Sequence, residues 1–214
     1  MTRTFLFCAS MLILVCAGES VAQSDFVSSG ETAALFSMGY ATGSGSKSGN
    51  VSGGLTLTNW VDAQVFLGIS DPGSYGRTLY ELGLGVKPFT RLVETDKVSL
   101  IAGLPVMVEG YTTSTGGAGS AFGSFGSVGG SLDLAVLTGG VSRFVISAGG
   151  SYGDFLTGGD GTEGGTSAMD VGIEQSFNIG GGSLLILGVG TSFVEDADET
   201  TWLFELCFLF PKPR

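Results

Sequence analysis

Residues 201–211 read TWLFELCFLFP. Trp202, Phe204, Leu206, Phe208 and Phe210 share one face of an extended chain, and Thr201, Leu203, Glu205, Cys207 and Leu209 share the other. That spacing of two is the repeat of a β-strand, not the three-to-four spacing of a helix. The first face is wholly apolar, and the one charge, Glu205, lies on the opposite face.

The same alternation recurs upstream. Ten such runs span about 31–41, 51–58, 61–70, 77–88, 97–111, 126–138, 143–153, 167–178, 183–194 and 200–210, punctuated by Gly, Ser and Asp. One parity of each run is apolar, as in Phe36, Met38 and Tyr40, or Leu82, Leu84 and Val86. The other parity carries Asp62, Glu81, Lys87, Glu109, Asp133, Arg143, Asp170, Glu174 and Glu205, and is otherwise mostly Gly, Ser and Thr. A water-soluble sandwich also alternates, but its outer face bears many charges. A Lys or Arg facing lipid at mid-membrane costs roughly 2–4 kcal/mol, which accounts for the segregation. Backbone polar groups in lipid must be satisfied internally, so spanning strands must close. The expected fold is all-β: a single closed antiparallel transmembrane β-barrel of about ten strands over residues 31–210. Residues 23–30 form a short lead-in and 211–214 a tail. Pro105 sits inside the fifth run and should mark a bulge or a break, because proline cannot donate to a ladder. If runs split or merge there, eight strands is the alternative.

The apolar face ending at Phe210 resembles the last strand of bacterial outer-membrane β-barrels, and the chain resembles small porin-like proteins of that kind. The resemblance implies an outer-membrane location in a Gram-negative-type bacterium, contact with its lipid, and recognition of the last strand by the barrel assembly machinery. Pro211, Lys212, Pro213 and Arg214 follow Phe210, where many such proteins stop at the aromatic.

Composition agrees with strands in lipid. The chain has 214 residues, 38 of them glycine, with 43% hydrophobic and only 14% charged residues. Its net charge of −11 argues against nucleic acid, which is bound through clusters of Lys and Arg. Histidine is absent, which removes the usual general base and zinc ligand. Outer-membrane proteases, phospholipases and deacylases resemble the chain in size, but as families they depend on a histidine beside Asp or Ser. The expectation is a non-enzyme with no cofactor and no metal.

Residues 1–22 read as a signal peptide: Arg3, an apolar core from Phe5 to Ala17, and a small-x-small site at Ser20-Val21-Ala22. Cys8 and Cys16 would leave with it, so Cys207 would remain alone as a packing residue. A lipoprotein reading of Cys16 fails at Val15, where the lipobox has a small residue.

The links between runs alternate. Those at 42–50, 71–76, 112–125, 154–166 and 195–199 are rich in Gly, Ser, Asp and Thr, whereas 59–60, 139–142 and 179–182 are tight and 89–96 is the exception. Long loops outside and short turns on the periplasmic side are the barrel pattern. Tyr40, Tyr80, Tyr152, Phe193 and Trp202 would ring the outer interface, and Phe89, Phe144, Phe177 and Phe210 the inner one. Within the lumen, Asp62 would pair with Lys87 and Arg143 with Glu174. Glu81, Glu109, Asp133, Asp170 and Glu205 have no evident basic partner and would make an acidic interior, drawing water or cations because a dry charge is expensive. The 112–125 loop, with Phe122 and Phe125, could fold in as a plug. Two acidic loop clusters, Asp160 with Glu163 and residues 195–199, match no complete calcium motif and read as solvated tips. Three functions follow: a narrow channel for small cationic or polar solutes, a closed barrel with a structural or surface-interaction role through its loops, or a secreted soluble glycine-rich β-protein.

Overall fold

The computed structural model describes residues 23–28, 31–43, 46–57, 60–71, 78–114, 121–157, 165–194 and 200–211. The leader at 1–22, both acidic loop clusters and the tail at 212–214 lie outside the described residues.

A one-turn helix, α1 (Gln23–Phe26), precedes β1 (Ala33–Thr42), β2 (Lys47–Leu57), β3 (Val61–Asp71), β4 (Thr78–Glu94), β5 (Val98–Gly103), β6 (Val106–Ser114), β7 (Ala121–Gly139), β8 (Ser142–Thr157), β9 (Thr166–Gly180), β10 (Ser183–Val194) and β11 (Thr200–Pro211). Consecutive strands pair antiparallel, except β5 and β6, which each pair with both β4 and β7, and β1 pairs with β11, from Ala33 opposite Pro211 to Thr42 opposite Trp202. The sheet is a closed barrel of ten strands.

The count is ten because β5 and β6 are two pieces of one strand. Both lie between β4 and β7, with β5 pairing toward the inner end and β6 toward the outer end. Pro105 causes the break, as its missing N–H predicts. The ladder closes over it: Leu104 N–H donates to the Pro88 carbonyl at 2.9 Å, and Gly129 N–H to the Pro105 carbonyl at 2.8 Å.

Several expected links are shorter than the sequence suggested; that at 154–166, for one, begins only after Thr157, where β8 ends. Residues 89–94 extend β4 and pair with β5, leaving a tight turn at 95–97 in place of the long 89–96 link. There Thr95 N–H donates to the Val98 carbonyl at 2.8 Å. The 112–125 link is largely strand, so Phe122 and Phe125 belong to β7 and not to a plugging loop. The 42–50 link ends at Lys47, where β2 begins. At 112–125 and 42–50 cross-strand pairing extends through residues whose glycine and serine content reads locally as loop; at 89–96 it extends through Arg91 and Glu94, whose charges read the same way. At the inner end the turns are tight where glycine adopts positive φ: Gly140 at 58° after β7, and Gly181 and Gly182 at 63° and 83° after β9.

The strands are staggered, as closure requires. Ala33 at the inner end of β1 lies level with Thr56, Thr56 with Asp62, and Asp62 with Lys87. Farther round, Gly129 lies level with Ser151, Ser151 with Ala168, and Ala168 with Val194 at the outer end of β10.

Outward residues form a continuous apolar belt including Phe36, Leu67, Leu84, Val108, Leu132, Ile173, Leu187 and Phe204, all exposed. Inward, glycines let neighbouring side chains lie flat across the wall. A Cβ at Gly83 would overlap the Phe66 ring directly across the ladder, and a Cβ at Gly123 the Tyr111 ring. Gly130 faces outward with nothing within 4 Å of such a Cβ.

Gly83→Ala should therefore lower stability by about 1–3 kcal/mol, the usual cost of overpacking. Gly130→Ala should leave it almost unchanged. Urea titration followed by Trp60 and Trp202 fluorescence would show the difference.

Candidate functional site

The lumen holds three layers. The outer layer is apolar: Ala41, Phe66, Leu79, Met107, Tyr111, Phe125, Ala168 and Val194 are buried together, with Phe155 and Leu203 against them. Phe155 stands edge-on to Tyr111 at 6.1 Å and to Phe125 at 5.6 Å, the geometry aromatic quadrupoles favour.

The inner layer is also apolar. Ala33, Leu35, Ala135, Val145, Leu184, Ile186, Cys207 and Leu209 enclose Phe26 and Val27. These last two come from the N-terminal segment, which enters the barrel and packs against β2, β3, β7 and β8. Arg143 Nη1 donates to the Asp25 carbonyl at 3.1 Å, and Arg91 Nη2 to the Val27 carbonyl at 3.0 Å. The segment then turns back toward β1: Glu31 N–H donates to the Ser28 carbonyl, and Ser28 N–H to Glu31 Oε2, each at 3.1 Å.

Between the apolar layers lies a polar band. Lys87 Nζ meets Asp133 Oδ2 at 2.7 Å, both nearly fully buried. The expected partner Asp62 is directly across the ladder from Lys87, and its Oδ1 accepts from Thr56 Oγ1 at 2.7 Å. The ion pair thus forms with Asp133, which the sequence left unmatched; β4 and β7 flank the same intervening strand, and Gly103 of β5 leaves the space through which the Lys87 side chain crosses it. The expected Arg143–Glu174 pair does not form, because Arg143 turns to the N-terminal segment.

Glu174 and Glu205 flank Gly188 from the two neighbouring strands, each in register with it. With Asp170 and Ser147 they line a cavity of about 40 Å³. A second cavity of about 60 Å³ shares Asp170 and Ser147 and reaches Asp133. Both are large enough for a few waters by the usual measure of about 10–15 Å³ each. Glu205 Oε1 accepts from Cys207 Sγ at 3.2 Å. Glu81 and Glu109 are buried at the level of the outer layer, directly across the ladder from Tyr111 and Phe125, and Glu81 Oε1 accepts from Ser70 Oγ at 2.7 Å.

Asp25 points into this band, almost fully buried, and its Oδ1 has no hydrogen-bond partner. Burial, and next the Asp133 carboxylate, hold Asp25 well above the usual carboxylate range; Asp62 adds to this, while Lys87 and Arg91 oppose it.

Of the girdle candidates, Tyr40, Tyr80, Tyr152, Phe193 and Trp202 are exposed near the outer ends of their strands, and Phe177 and Phe210 near the inner ends. Phe144 is half-buried near the inner start of β8. Phe89 is a correction: it is buried inside the barrel with the Arg91 guanidinium 5.7 Å from its ring centre, because β4 continues through it with inward parity. The sequence reading missed Phe122, outward on β7 and level with Thr112, itself level with Tyr80. It also missed Arg91, Asp25, Phe26 and Val27. The first lay in a supposed link, and the other three in a lead-in too short to show periodicity.

No family model matches the chain, and no curated protein matches it in sequence. Among solved structures, the translocator domain of autotransporter NalP from Neisseria meningitidis is similar over 98% of this chain and 99% of its own, with 12% identity and a TM-score of 0.58. The β domain of the Bordetella autotransporter BrkA covers 86% of this chain and 99% of its own, with 10% identity and a TM-score of 0.49. The fold is that of outer-membrane β-barrels, with no subfamily distinguished.

Two outcomes are expected. Lys87→Met should destabilise the barrel by about 3–5 kcal/mol, because it leaves Asp133 buried without its cation. Adding Asp133→Leu should recover most of that loss in the same urea titration. For Asp25, a raised carboxyl value means that the protonated form fits the seat better. Docking of the N-terminal segment is then complete at and below the ordinary carboxylate range and weakens as pH rises through the raised value. A fluorophore attached through Ser28→Cys should lose anisotropy over that rise, and Asp25→Asn should flatten the response.

Proposed function

We propose that this chain is an outer-membrane β-barrel that stands closed at rest and serves as a structural or surface-interaction protein through the loops at its outer end. One observation supports this most: buried apolar side chains pack across the lumen toward each of its ends. The outward belt of exposed Leu, Val, Ile and Phe supports a lipid surround and disfavours the secreted soluble alternative. Export would use the leader at 1–22, and insertion the assembly machinery acting on β11. No catalytic role is proposed, since the chain has no histidine to set beside Asp or Ser.

A second reading is a narrow passage for small cationic or polar solutes. It is favoured by the carboxylate-lined cavities at Asp170, Glu174 and Glu205, together with buried Glu81 and Glu109. Acidic linings favour cations.

Planar-bilayer recording separates the two. Refolded protein whose gel mobility is heat-modifiable should give no discrete steps. Cation-selective steps whose reversal potential shifts in Glu81→Lys with Glu109→Lys would overturn the closed barrel in favour of the passage.

A further inference from the structure

We propose that the inner mouth of the barrel is a peptide-binding receptacle, and that its ligand is the chain's own N-terminal segment, residues 23–28. The inference rests on the closed-barrel reading and adds what closes the inner end.

The segment takes no part in the sheet. All ten strands pair round the ring without it, including the β1–β11 seam. It is held as a bound peptide is held. Two arginines on different strands, Arg91 of β4 and Arg143 of β8, donate to main-chain carbonyls two residues apart, those of Val27 and Asp25. Two consecutive apolar side chains, Phe26 and Val27, enter the inner layer and are almost fully buried there. Main-chain capture combined with apolar anchoring is how peptide-recognition sites work in general. The receptacle also receives one misfit: the Asp25 carboxylate faces Asp133 and Asp62, with one oxygen unpartnered. A wedge permanent to the fold would gain from an apolar or amide residue at that point. An acidic residue there weakens the seat and leaves the segment able to depart while the barrel stands. The Lys87–Asp133 pair behind it would then face the inner end.

Cys207 reports on this directly, since it is fully buried in the same layer as Phe26 and Val27. With Cys8→Ser and Cys16→Ser it becomes the sole thiol of the chain. In folded protein, shown by heat-modifiable mobility, a small water-soluble maleimide should leave Cys207 unmodified. In a chain lacking residues 23–28, labelling should accelerate by at least about tenfold, as expected when a local seal is removed. Synthetic peptide QSDFVS at millimolar concentration, comparable to what a short tether provides, should restore protection. The same peptide carrying Phe26→Asp should not. Arg91→Ala with Arg143→Ala in the full-length chain is the second variant, read if the deletion does not fold, and should label at a rate above that of the parent.

Protection that persists in the folded deletion or double-arginine variant, or a peptide that fails to restore it, would overturn the receptacle and leave the closed barrel standing. Ready labelling of the intact chain would instead overturn the closed barrel.

Discussion

An extended strand offers a main-chain donor and acceptor at every residue, and only a sheet that meets itself leaves none of them at an edge. The seam between β1 and β11 is therefore the constraint on which the rest of this protein depends. It runs the full length of β1, so the first and last strands must be matched in length, direction and register before any interior exists. The alternation of β11 follows from its place there: its apolar parity continues the outer belt, and its other parity puts Glu205, Cys207 and Leu209 inside.

Closure with ten strands creates a second problem. About eight strands enclose a space that side chains just fill, and ten enclose more. This barrel fills the surplus with large side chains laid flat over glycines, as Phe66 lies over Gly83 and Tyr111 over Gly123. That arrangement explains why glycine is abundant in a well-ordered sheet where its conformational freedom is otherwise a cost. The polar groups are sorted: Lys87 against Asp133, Thr56 against Asp62, Ser70 against Glu81, and small cavities with room for water beside Asp170 and Glu174.

The N-terminal segment completes the inner layer from outside the sheet. Arg91 and Arg143 are inward-facing cations in a lumen dominated by carboxylates, yet each spends a donor on a peptide carbonyl. Their placement makes closure of the inner end a matter of peptide recognition, whereas closure of the outer end is built from aromatic packing among the strands themselves.

The sequence alone determined the class of fold. A repeat of two places every other side chain on one face whatever lies beside the strand, so Trp202, Phe204 and Phe210, or Tyr80 and Leu82, can be assigned outward without coordinates. The same parity put Asp62, Glu81, Lys87, Glu109, Asp133 and Glu205 inward, and Pro105 announced a break through its missing donor. Tertiary structure alone decided who meets whom inside. Lys87 pairs with Asp133 because the two strands flank β5 and Gly103 lets the lysine cross it, a relation with no local periodicity to betray it. Phe89 turned inward because pairing with β5 extended β4 past the expected end. Arg143 left Glu174 for the carbonyl of Asp25, far away in the chain. Parity is a local property of the backbone and can be read from spacing; contacts across a lumen are products of closure and stagger, which no single strand encodes.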